Sequence, residues 1–140
     1  VRVLIADDQP QVRSALRLLL GQEPGVTVVG EAEDAEQALK LATGGQPDLV
    51  LLDWELPGQP AADASAGTGQ HLLPALRARR PCLKVVALSG RPEARQAALA
   101  AGADAFVSKG DPPEQLLAAL EDCRRQRCGR GQGLASWSEG

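Results

Sequence analysis

Asp7 and Asp8 follow the apolar run Val1–Ala6, Asp53 follows Leu49–Leu52, and Lys109 follows Ala105–Ser108. Each charged group stands where a short, mostly hydrophobic run stops. A run of about five apolar residues bounded by polar ones reads as a buried strand. In an open parallel α/β sheet, ligands bind outside the carboxyl ends of the strands. Three acids and a lysine are therefore expected at one edge of one sheet. That is an acidic pocket suited to a hard cation, with a lysine to meet an anion.

The elements that must position these groups are legible in the periodicity. Val1–Ala6, Val26–Ala32, Asp48–Leu52, Lys84–Leu88 and Asp104–Val107 read as five strands. Helices are expected over Pro10–Gln22, from a cap at Asp34 to the stop at Gly44-Gly45, over Gln70–Arg79, over Pro92–Ala101, and after a cap at Asp111. Asp34 with Gln37 three residues later has the spacing of a capping box. Pro74 is expected to distort the first turns of the third helix. On the fifth helix Leu116, Leu117 and Leu120 form the inward face. Alternating strands and helices predict an α/β fold with a doubly wound parallel sheet. Right-handed crossovers and the position of the acids favour the strand order 2-1-3-4-5.

The chain has 140 residues, 44 % of them hydrophobic but only 2 % aromatic. It suits one domain with a core of Leu, Val, Ile and Ala. The net charge of -3 offers no basic footprint for nucleic acid. No apolar run approaches the ~20 residues that span a bilayer, and no signal-peptide pattern opens the chain. The missing initial Met reads as a trimmed or processed form. Cys82, Cys123 and Cys128, with His71 as the one histidine, lack zinc spacing and read as reduced cytosolic thiols. Gly58–Thr68 is rich in Gly, Ala, Ser and Pro and is expected to be a mobile loop beside the acids. Arg124–Gly140 begins with arginines and ends Gly- and Ser-rich. The expected division is a domain over 1–125 and a linker or tail over 126–140.

With LIADDQ around Asp7-Asp8, LLDWELPG around Asp53, ALSG around Ser89 and GADAFVSKG around Lys109, the chain resembles the receiver domain of two-component response regulators. It is most like receivers that precede a helix-turn-helix output domain. The resemblance runs from Val1 to about Arg125 and implies a flavodoxin-like fold. It implies that Asp53 accepts a phosphoryl group from a histidine kinase or phosphotransfer protein. Asp7, Asp8, Asp53 and the backbone carbonyl of Glu55 would hold Mg²⁺. Ser89 would turn its hydroxyl to the phosphoryl group, Lys109 would contact it, and Phe106 would be the aromatic switch residue that rotates inward. The surface of the fourth helix, fifth strand and fifth helix would then control an output such as transcription. The implied partners include a second copy, through that surface or through helices 1 and 5, in a cytoplasmic protein that is not an enzyme.

Each residue also has a plainer reading. Asp7-Asp8 and Ser89 suit helix caps, Lys109 a solvated loop, Phe106 the core, His71 the surface, and Arg124–Arg130 a solvated helix end that complements the helix dipole. The chain departs from the family pattern in three places. Gly69 stands sixteen residues beyond Asp53, so some eight residues are inserted near 58–68. Gly110 replaces the usual proline after Lys109, and Trp54 the usual small aliphatic residue. The insertion and Gly110 keep open an alternative, a pseudo-receiver that binds partners without phosphate. Glu55, two residues beyond Asp53, also keeps open an aspartyl-phosphate phosphatase, although such enzymes usually carry Asp there and a cap domain.

Overall fold

The computed structural model describes residues 1–57 and 69–126, with side chains described from 71 onward in the second segment. The expectations for 58–68 and for 127–140 lie outside the described residues. Five strands, β1 (Arg2–Ala6), β2 (Thr27–Ala32), β3 (Leu49–Asp53), β4 (Lys84–Ser89) and β5 (Ala105–Ser108), alternate with five helices. These are α1 (Pro10–Gly21), α2 (Ala35–Gly44), α3 (Gly69–Arg79), α4 (Ala94–Ala100) and α5 (Pro113–Arg125). All strand pairs are parallel, in the order β2-β1-β3-β4-β5. This is the doubly wound order expected from the sequence.

Side chains alternate across each strand, so the sheet feeds two cores. Leu4, Ala6, Val50, Leu52, Val85, Ala87 and Phe106 face α2, α3 and α4. Val3, Ile5, Leu49, Leu51, Val86, Leu88 and Val107 face α1 and α5. Helices α2 and α4 present alanines to the sheet (Ala35, Ala38, Ala42, Ala94, Ala98), which lets them pack close to it. On the other face Leu20 is the one buried residue of α1. Val12, Leu16 and Leu19 are only half-buried.

Local chemistry decided several boundaries. Asp34 caps α2 as expected, accepting the Gln37 N–H at 2.9 Å, while Gln37 Oε1 accepts the Glu33 N–H. Asp111 is not the cap of α5. That helix opens on Pro112-Pro113, which lack N–H groups to satisfy, and Asp111 instead accepts the Ser108 N–H at 3.0 Å in the turn after β5. Pro92 lies ahead of α4 in a turn in which the Ala94 and Arg95 N–H groups bond to Arg91 and Pro92 carbonyls. The helix is therefore shorter than Pro92–Ala101. Helix α3 runs on through Pro74. Only one i→i−4 bond is lost there, and the ring points to solvent. Cys123 takes the inward position on α5 expected of Leu117, which is half-buried. Cys123 is a free, buried thiol, and Cys128 lies outside the described residues.

Candidate functional site

Parallel strands bring all their carboxyl ends to one edge. Asp7 directly follows β1, Asp53 and Ser89 end β3 and β4, and Lys109 directly follows β5. Asp7 is anchored because its N–H continues the ladder to the Ala32 carbonyl at 2.9 Å. Its side chain is fully buried and Asp53 is 2 % exposed, whereas Asp8 is exposed. Carboxylate oxygens of the three acids lie within 4.8 Å of one another. Lys109 reaches across them, its Nζ 2.8 Å from Asp7 Oδ2 and 3.5 Å from Asp53 Oδ1.

The turns hold the acids from behind. Asp7 Oδ1 accepts the Gln9 N–H at 2.8 Å and Asp53 Oδ1 accepts the Glu55 N–H at 3.0 Å. The Leu56 N–H returns to the Asp53 carbonyl. Trp54, fully buried, bonds its N–H to the Leu88 carbonyl at 2.7 Å and locks the turn to β4. The bulky residue noted after Asp53 therefore belongs to the core.

Electrostatics follow from this crowding. Burial pushes the Asp53 carboxyl up most strongly. The Glu55 N–H pulls it down, Asp7 raises it, Lys109 lowers it and Asp8 raises it again, leaving it at about 6. Burial works to lower the Lys109 pKa. Its bond to Asp7 and the charges of Asp53 and Asp7 outweigh this, and the ammonium is held above its ordinary value. Asp7 Oδ2 is buried and accepts no well-aligned hydrogen bond. It has only the Lys109 charge at 2.8 Å. A buried carboxylate oxygen whose one close partner is the Lys109 ammonium, among three converging acids, is a donor set for a hard divalent cation.

Ser89 is fully buried and donates its hydroxyl to Glu55, 3.0 Å from each carboxylate oxygen. Its own oxygen accepts the Arg91 N–H at 3.0 Å. Arg91 in turn pairs with Glu55 Oε2 at 3.0 Å. Asp8, Gln9, Asp53, Glu55, Gly90, Arg91 and Lys109 line an open cleft of about 320 Å³. Phe106 is apart from it, 8 % exposed within the α2–α4 core with the Arg95 guanidinium 5.8 Å over its ring.

Sequence reasoning missed Gln9 and Arg13. Gln9 lines the cleft, its Oε1 3.5 Å from Lys109 Nζ. Arg13 donates to the Asp7 carbonyl at 2.7 Å and pairs with Glu31. Arg13 lies one helical turn beyond Gln9, a spacing that places both on one side of α1. His71 is exposed, as expected.

A five-stranded 2-1-3-4-5 sheet with this edge defines a class. The family model of the response regulator receiver domain matches residues 3–121, and the chain belongs to that family. Over 120 residues it is 37 % identical to the nitrate/nitrite response regulator protein NarL of Escherichia coli, covering 84 % of this chain and 52 % of that protein. It thus spans about half the length of the curated relatives it matches. The signal receiver domain of the response regulator NarL from Mycobacterium tuberculosis superposes with a TM-score of 0.76 at 32 % identity, over 91 % of this chain and 98 % of that one. The isolated receiver domain of RcsB from Salmonella enterica, solved with the phosphomimetic BeF3-, gives 0.76 at 27 % identity, over 91 % and 90 %.

Proposed function

We propose that the chain is a phosphoacceptor switch in which Asp53 takes a phosphoryl group from a histidine kinase or phosphotransfer protein. The observation that carries this is the edge itself: three carboxylates within 4.8 Å with the Lys109 ammonium between two of them. A carboxylate is a poor nucleophile at phosphorus amid negative charge. Mg²⁺ held by Asp7, Asp8, Asp53 and the Glu55 carbonyl would supply charge neutralisation for an in-line transfer. The protein's own groups do the rest. Asp53 Oδ forms the new bond to phosphorus as the donor's P–N bond breaks and its imidazole leaves. Lys109 exchanges Asp53 and Asp7 for a phosphoryl oxygen. Ser89, at the end of the strand paired with that of Asp53, is the hydroxyl donor in this reading, and Gly90 leaves the approach open. The phosphoryl group brings about two negative charges. It shifts the balance of two pre-existing arrangements of the α4–β5–α5 surface.

In this reading the switch controls transcription, the role in the name of the transcriptional regulatory protein NarL of Mycobacterium tuberculosis, 32 % identical over 127 residues, through a helix-turn-helix domain that the described residues do not include. The test uses acetyl phosphate with Mg²⁺ and intact-mass analysis. The expected result is one hydroxylamine-labile phosphoryl group in the wild type and none in Asp53→Ala. Equal labelling of Asp53→Ala would overturn the assignment.

A further inference from the structure

We infer that Glu55 is a positioning residue that holds the Ser89 hydroxyl in reserve, so that an arriving phosphoryl group must take the hydroxyl from Glu55. The inference rests on the phosphoacceptor reading and adds to it the group that opposes switching. Ser89 has a single hydroxyl proton. It is given to Glu55, equidistant from both carboxylate oxygens at 3.0 Å. The same proton cannot also serve a phosphoryl oxygen. Ser89 is fully buried, so leaving the hydroxyl without an acceptor is costly, and in this arrangement Glu55 is the acceptor.

Glu55 is placed there by the chain, not by chance contact. Its N–H bonds to Asp53 Oδ1, and the buried Trp54 fixes the turn to β4. Its carboxylate therefore lies over the end of β4, where Ser89 stands. Arg91 makes the arrangement reversible. Its guanidinium is 3.0 Å from Glu55 Oε2, so Glu55 keeps a partner after it gives up the hydroxyl. A dianionic group on Asp53 repels Glu55 and accepts the Ser89 proton, and both effects drive the same exchange.

The experiment titrates the 140-residue chain with beryllium fluoride in excess Mg²⁺. It follows Trp54 fluorescence in a Trp137→Phe background, since Trp54 and Trp137 are the two tryptophans. Wild type, Glu55→Ala, Glu55→Gln, Ser89→Ala and the double variant Glu55→Ala/Ser89→Ala are compared. Losing a charge-assisted acceptor for Ser89 is expected to tighten binding about tenfold in Glu55→Ala. Glu55→Gln keeps an acceptor oxygen and falls between. In the Ser89→Ala background the same Glu55→Ala change retains only its charge effect, about twofold to threefold. An equal factor in both backgrounds, or weaker binding in Glu55→Ala, overturns the inference while leaving the phosphoacceptor reading intact. A wild type that responds no differently from Asp53→Ala overturns both.

Discussion

Asp53 is the residue at which local physics is most strained. Its carboxyl is raised from 3.8 to about 6, so the fold favours its neutral form. That contribution to stability is complete below the unfolded value near 4 and is lost as pH rises through about 6. A shift of that size amounts to about 3 kcal/mol at neutral pH. Asp53→Asn is therefore expected to stabilise the metal-free protein by about 1–2 kcal/mol at pH 7.5, with the gain shrinking toward pH 4. Urea unfolding in EDTA at both pH values measures it, and a gain that grows on acidification would refute the account. The pair Glu55–Arg91 makes a smaller claim. The Arg91 and Glu55 side chains are 50 % and 37 % exposed, so the pair contributes only ~0–1 kcal/mol. As a screen against water it is expected to slow loss of the phosphoryl group by at most about fivefold. Decay rates of wild type, Glu55→Ala, Arg91→Ala and the double variant decide it, because independent effects would mean no screen exists.

At the scale of elements, an ion pair with side chains only 14 % and 10 % exposed joins α3 to the α4–β5 connection. Arg77 NH2 lies 2.6 Å from Asp104 Oδ2, and the same oxygen accepts the Val85 N–H at 2.8 Å. Arg77 also donates to the carbonyls of Leu83 and Gly102. Gly102 has φ +112, a backbone conformation open to glycine at little cost, and this turns its carbonyl to the guanidinium. Removing one member of such a pair leaves the other buried without its countercharge. Arg77→Ala is expected to cost about 3 kcal/mol in denaturant unfolding, against well under 1 kcal/mol for Lys40→Ala in the exposed Glu36–Lys40 pair. Similar losses for the two would show that burial is not what matters.

Among the described residues an apolar cleft stays open between two helices. Helices α1 and α5 leave a cleft of about 500 Å³ lined by Leu16, Leu19, Pro113 and Leu116 among others, and Leu18 beside it is 70 % exposed. Of the two faces expected for a second copy, this one carries the more exposed leucine, since Leu99 on α4 is 40 % exposed. Leu18→Glu is expected to abolish any concentration-dependent self-association seen by sedimentation, while Leu99→Glu on α4 leaves it in place. The reverse pattern would move the interface to α4. With a net charge of -3, the chain alone is expected to show no tight, salt-resistant binding to any one DNA duplex. Among the described residues no helix is long and apolar enough to cross a membrane.

Strand order and the meeting of Asp7, Asp8, Asp53 and Lys109 were legible in the sequence, because parallel strands with right-handed crossovers leave little freedom in where their ends gather. The Asp34 cap was legible because a capping box is local. What only the tertiary structure decided depends on which side chain reaches a shared partner first. Asp111 also suits a cap by its sequence, yet the proline pair after it needs none, and it closes the preceding turn. Gln9 and Arg13 belong to a helix pattern until α1 packs beside β1. The Ser89 hydroxyl had several acceptors within chemical reason. The turn after β3, pinned by a buried Trp54, brought Glu55 to it, and no spacing along the chain encodes a contact made across 34 residues.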